Sequence, residues 1–210
     1  MAERFMPPHG GYQTLLSHQK AQIVYDATVY FCDRFIDRRS RTHDQMVQAA
    51  RSGKQNIIDD FAGARNRTCR RHARRARVTE GPSAGMASGT SKEMEIKLTN
   101  VARASLEELL ADYRDFLRTR GLAEWPQDHR YTRRLRQLNR IPDATYKTFR
   151  KGIENADPAI SAKVIIGLIR VTSYLLDRQL RSLEQSFLKD GGLRERMTRA
   201  RLAARNKART

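Results

Sequence analysis

The sequence predicts an all-α protein: an antiparallel up-down four-helix bundle, with short irregular helices before the last long one and a basic helix at the C-terminus. Three observations carry this reading. Apolar residues recur at three- and four-residue steps along four long stretches. Strand-like alternation of any length is missing from the sequence. Helix punctuation also falls where the apolar pattern starts and stops, at Thr90 with Glu93, at Gly121, at Asp157-Pro158 and at Gly191-Gly192.

In chain order, residues 1–13 form a turn-rich leader containing Pro7-Pro8 and Gly10-Gly11. Three helices are expected over residues 14–122. The first runs from Leu15 to Arg38, with Leu16, Ile23, Val24, Ala27, Tyr30, Phe31 and Phe35 wide enough to face two neighbours. The second runs from His43 to about Ile58. Its inner positions are Met46, Val47, Ala50, Ile57 and Ile58, and Gly53 suggests close approach by another helix. Residues 59–79 lose the apolar stripe and read as a basic insertion, either a surface loop, an extension of the second helix projecting an arginine spike, or a disordered segment; a small-residue linker, Glu80 to Gly89, follows.

The central helix, Thr90 to Arg120, gives the strongest signal. Thr90 and Glu93 form a capping box, and Met94, Leu98, Val101, Ala102, Leu109, Tyr113 and Phe116 line one face. Such a helix is a rod on the order of 45 Å and needs partners along its whole length. Residues 123–192 hold a short basic helix at Tyr131 to Asn139, another with Asp143 as N-cap, and the last long helix, Pro158 to Lys189. That helix is the most apolar segment and is expected to be buried on most sides in its first half. Residues 193–210 are a basic tail.

Charge directs the functional reading. Lys and Arg number 41 against 23 Asp and Glu, a net +18, which favours a polyanionic partner over an ordinary metabolic role. The excess is clustered. One cluster is Arg65, Arg67, Arg70, Arg71, Arg74, Arg75 and Arg77. A second is Arg130, Arg133, Arg134, Arg136 and Arg140, with Tyr131 and Trp125 nearby. The third is Arg194, Arg196, Arg199, Arg201 and Arg205, with Lys207 and Arg209. Arginine forks match phosphate oxygens, and aromatics among them can stack on an unpaired base. No base-reading motif is evident, so backbone contacts with weak sequence preference are expected. The three clusters are expected to share one side of the rod as a trough for phosphates.

Other chemistry is weakly signalled. No glycine-rich loop carries a following Lys-Ser/Thr. Cys69 and His72 have C-x₂-H spacing, but a closed zinc site needs about four ligands, and His9, His18, His43 and His129 are scattered. No metal, cofactor or catalytic residue is therefore assigned. The central-helix carboxylates Glu93, Glu95, Glu107, Glu108, Asp112 and Asp115 are expected to pair with Lys97, Arg103 and Arg114 on a wet face. Cys32 reads as a buried thiol. No signal peptide or membrane span is read, so a cytoplasmic protein is expected.

Three stretches carry a family resemblance: Gln55-Asn56-Ile57-Ile58, then Glu80-Gly81, then Ser88-Gly89-Thr90-Ser91-Lys92 leading into Ala102-Arg103-Ala104-Ser105-Leu106-Glu107-Glu108. They resemble the bacterial four-helix-bundle family encoded in intervening sequences of 23S ribosomal RNA genes, whose signature is an N-I-x-E-G turn followed by an A-R-x-S-L-x-E helix. Leu175-Leu176-Asp177-Arg178-Gln179 and Gly191-Gly192-Leu193-Arg194-Glu195-Arg196-Met197 are similar to the variant with a C-terminal suffix domain. The chain departs from the pattern where Asp59 to Thr79 splits the turn motif. The resemblance implies a non-enzymatic homo-oligomer, with a pentamer among the expected ring sizes, and a nucleic-acid partner, RNA ahead of DNA, as for a relative that accompanies the reverse transcriptase of diversity-generating retroelements. A scaffold recruiting a protein partner is the alternative.

Overall fold

A computed structural model describes residues 15–74, 90–141 and 143–190, with Thr198, Arg201, Leu202 and Arg205. Side chains are described over 15–59, 93–141 and 143–189, and at those four positions. Among the described residues there are six helices and no strand: α1 (Leu16–Phe35), α2 (Arg41–Arg74), α3 (Thr90–Arg118), α4 (Arg130–Asn139), α5 (Tyr146–Ile153) and α6 (Pro158–Asp190). The leader, the linker and the glycine pair after α6 lie outside the described residues.

The four long helices touch in a closed cycle, with α1 against α2 and α6, and α3 against the same two. Specific pairs fix how they meet. Asp33 of α1 faces His43 of α2 at 3.4 Å, and Lys54 of α2 lies over the Tyr25 ring at 4.1 Å. Ser17 of α1 donates to Gln179 of α6 at 3.0 Å. Arg103 of α3 meets Asp177 of α6 at 3.0 Å.

The core is continuous. Phe31 packs edge-on against Tyr113 and Phe116, with ring centroids 5.0 and 4.9 Å apart. Such aromatic pairs contribute about 0.5–1.5 kcal/mol beyond area burial. Tyr113 is fully buried, and its hydroxyl donates to Thr28 at 3.2 Å, which satisfies a polar atom that would otherwise be costly. The glycine in α2 has the role its position suggests: a Cβ on Gly53 would lie 3.0 Å from Leu106, and the Ala102 carbonyl is close by. Cys32 is buried, and burial, then Asp33 and Asp112, push its thiol up to about 12, so it stays a protonated apolar filler.

α3 ends as its sequence dictates. Gly121 takes φ +66, Leu122 N–H bonds the Leu117 carbonyl and Gly121 N–H bonds that of Arg118, each at 3.0 Å. That double closure is a Schellman motif, and it needs a residue without Cβ strain. Asp157 caps α6 by accepting from Ala159 N–H at 2.8 Å, with Pro158 at the first helical position.

Several expectations need correction. α2 does not stop near Ile58 but continues unbroken to Arg74. Ala and Arg are strong helix formers, so the absence of an apolar stripe removed packing without removing propensity. Asp143 is not the N-cap of α5: it takes φ 55, and Thr145 holds the cap position, donating from its N–H to the Thr148 hydroxyl at 3.2 Å. Met94 and Val101 are 38% and 47% exposed, so the inner face of α3 is carried by Ala102, Leu106, Leu109, Leu110, Tyr113 and Leu117. Two of the α3 arginines pair off their own helix, Arg103 with Asp177 and Arg114 with Glu124 at 2.9 Å, while Asp115 pairs within it, with Arg118 at 2.9 Å.

One side chain works against the core. Lys20 is 4% exposed, and its ammonium has no hydrogen-bond acceptor among the described residues. Its one favourable neighbour is the Phe149 ring, 5.0 Å away. A cation–π contact supplies about 2 kcal/mol at best, against a desolvation cost of several kcal/mol. Burial accordingly lowers the lysine below its ordinary 10.5. A group that binds protons more weakly when folded makes stability rise with pH, from the lowered value up to the ordinary one. Lys20→Met is therefore expected to raise the melting temperature, by about 2–4 °C per kcal/mol recovered. The gap from wild type should be widest at neutral pH and close towards pH 10.5. Thermal unfolding across that range tests this, and a destabilised variant would contradict it.

Candidate nucleic-acid interface

α4 is a ten-residue helix with the sequence RYTRRLRQLN. Its inward side is small. Leu135 is buried, Leu138 and Asn139 are half-buried, and the Asn139 amide donates to the Leu135 carbonyl at 3.0 Å. Everything basic points outward: Arg130, Arg133, Arg134, Arg136 and Arg140 are all exposed. Among the described residues, none of the five makes an ion pair with a carboxylate. Arg134 instead donates to Gln137 at 3.3 Å.

This helix is assembled against its own local electrostatics. Like charges three and four residues apart repel, and a cation in the first turn opposes the helix dipole. No acid stands in that turn. The N-cap is His129, whose Nδ1 accepts from Tyr131 N–H at 3.3 Å. Tertiary anchoring makes up the deficit. Leu135 inserts where α6 has a glycine, and a Cβ on Gly167 would sit 2.2 Å from its Cδ2. The segment before α4 is tied down by Glu124, which accepts from Arg114 at 2.9 Å and pairs with Arg170 of α6 at 2.6 Å.

Three rings sit at the start of α4. Trp125 and His129 are parallel, with centroids 5.2 Å apart and planes at 11°. Tyr131 is tilted against both, at 5.1 and 5.3 Å. The Arg130 guanidinium lies 4.6 Å from the Tyr131 ring centroid. Arg130 thus joins the aromatic group to the start of the basic helix.

The other arginine clusters lie elsewhere or outside what is described. Arg65, Arg67, Arg70, Arg71 and Arg74 stand on the helical backbone of α2, while Arg75 and Arg77 lie outside the described residues, as do Arg194, Arg196 and Arg199. The side chains of Cys69 and His72 are likewise outside them. Arg201 and Arg205 are helical and exposed. The expected common trough would be built partly from α2 side chains beyond residue 59, which lie outside the described residues.

Other chemistry finds little geometry. Among the described residues no cluster of His, Cys, Asp and Glu could hold a metal ion. An open cleft of about 550 Å³ is lined by Asp26, Thr145, Tyr146 and Lys147. Burial, reinforced by Glu154, pushes the Tyr146 phenol well up, so it is a hydrogen-bond donor at any ordinary pH. On α3, burial and then Asp115 and Glu108 raise the Asp112 carboxyl. α6 is long and apolar enough to cross a membrane by composition, yet most of its apolar window is buried, against α1, α3, α4 and α5. The chain matches no protein-family model, no curated protein and no solved structure.

The Leu135–Gly167 contact gives a direct handle on the site. Gly167→Ala is expected to push Leu135 outward and loosen α4 while leaving the long helices folded. Adding Leu135→Ala should relieve the clash. Hydrogen exchange of the α4 amides, compared with those of α1 and α3, reads the outcome. Uniform loss of protection in all helices would contradict a local effect.

Proposed function

We propose that the chain is a non-enzymatic, antiparallel up-down four-helix bundle that self-associates and binds nucleic acid, RNA ahead of DNA, through phosphate contacts from α4. The up-down reading is supported by the closed cycle of helix contacts and by pairs running in opposite senses, Asp33 with His43 and Tyr25 with Lys54. Kinship with the 23S intervening-sequence bundle family, and the preference for RNA, rest on the sequence motifs alone.

The observation that carries the binding reading is the α4 surface: five exposed arginines on a short helix and its cap, without a carboxylate partner among the described residues. Arginines kept unneutralised at a cost to local helix stability indicate that a partner supplies the negative charge. Contacts to phosphate release counterions, so affinity should fall steeply with salt. Titrating a labelled RNA by fluorescence anisotropy over a salt series tests this. The Arg133→Gln/Arg134→Gln/Arg136→Gln variant should bind more weakly, with a log–log salt slope smaller by about two to three. Binding that ignores salt would refute the reading. An acidic protein partner is the second reading of the same surface. It predicts that nuclease treatment leaves the bound partner in place.

Self-association is supported by apolar side chains left uncovered. Leu188 is 83% exposed, Leu16 53% and Met94 38%, and the Ser17–Gln179 and Arg103–Asp177 pairs put their helix ends at the same end of the bundle. Sedimentation should give a mass above the 24.2 kDa of one chain. Leu188→Asp combined with Met94→Asp should shift it towards the monomer. A strict monomer for the parent chain would end this part of the proposal.

A further inference from the structure

We infer that the aromatic cluster at the start of α4 is a stacking platform for one unpaired nucleobase, so that the site selects single-stranded nucleic acid, or an RNA loop, over duplex. This rests on the nucleic-acid reading above and specifies the form of ligand within it. Tyr131 is 41% exposed and is the most open of the three rings. It is held from behind rather than left to swing: Trp125 and His129 contact it at 5.1 and 5.3 Å, and they are themselves stacked. On α6, Lys163 carries an ammonium 5.9 Å from the Trp125 ring, adding positive charge beside the cluster.

The Arg130 guanidinium already stacks near Tyr131 and donates to its hydroxyl at 2.9 Å. A planar cation on an aromatic face marks a surface that accepts a second planar group. An incoming base can lie on Tyr131 or on the guanidinium itself, and RNA-binding proteins use both modes. Arg133 and Arg134 lie on the next turn, where the flanking phosphates would run. Bases within a duplex are already stacked on their neighbours and present only edges, so the ring surface is useless to a helix. Phosphate contacts alone favour the more densely charged duplex, so a preference for single strands has to come from the rings.

The rings also provide their own reporter, because Trp125 is the chain's one tryptophan. The test uses the full chain with two probes of equal phosphate number, an unstructured oligouridylate and an RNA duplex. Oligouridylate should bind more tightly and change Trp125 fluorescence, whereas duplex should leave the fluorescence unchanged. Tyr131→Ala should weaken oligouridylate by about five- to a hundredfold, the range expected for one stacked base. Its duplex affinity and salt slope should stay as they were. Arg133→Gln/Arg134→Gln should weaken both probes. If Tyr131→Ala weakens both probes alike, or neither, the stacking inference is overturned while electrostatic binding stands. If neither probe binds the parent chain at low salt, the nucleic-acid reading falls and this inference with it.

Discussion

The architecture depends on α6 finding a partner on nearly every side. Val164, Ile165, Ile166, Leu168 and Ile169 are five apolar residues within six positions, all buried. Successive residues on a helix point about 100° apart, so such a run cannot be covered by one neighbour. α1 and α3 cover two sides, and α5 and α4 cover what they leave. The short helices are thus required by the apolar excess of α6. Without them, part of its first half would be a hydrophobic surface in water. The two glycines in this region fit that need. A Cβ at Gly152 of α5 would meet Val164 at 3.0 Å, and one at Gly167 would meet Leu135 at 2.2 Å. Each lets a short element approach closely enough to seal the core.

Where the sequence could be read and where it could not follows from what each helix packs against. α1, α3 and α6 have strong periodicity because each packs on at least two others, and their bounds agree with the structure within three residues at each end. α2 was legible as far as Ile57, the last core residue it contributes among the described side chains. Beyond residue 59 the sequence offers helix-compatible residues but no apolar stripe to mark where the helix ends. Asp143 was misassigned because Asx residues suit both an N-cap and a left-handed turn, and only the position of Thr145 decides between them. Met94 and Val101 fit the α3 stripe by spacing, but the stripe bends away from them. Pairing of Arg103 and Arg114 across helices had no local signal. In the site, the arginines and aromatics of α4 were visible as a pattern. The contact with Gly167 was not, since it joins residues far apart in sequence.

The charge arrangement has a physical logic of its own. A net +18 on one small chain is tolerable if the charges are spread out in water, where each pair contributes little. α4 does the reverse, holding several guanidinium groups on one ten-residue helix and its cap without a carboxylate pair among the described residues. Rigidity matters more than number here. A flexible basic tail must lose conformational entropy on every encounter, whereas α4 has already been ordered by Leu135 and the Glu124 bridge.

Glu124 shows how that ordering is achieved without neutralising the surface. Its carboxylate is spent on Arg114 and Arg170, which belong to the long helices, and not on the arginines of α4. Had Glu124 paired with Arg130 or Arg134 instead, the segment would have lost its tie to α3 and α6, and exposed charge on α4 would have been cancelled. The same separation applies to Asp177, which pairs with Arg103. In these two bridges the acids stitch separate elements together, while the α4 cations keep no carboxylate partner among the described residues. That division of the charges is the one the proposed phosphate contacts require.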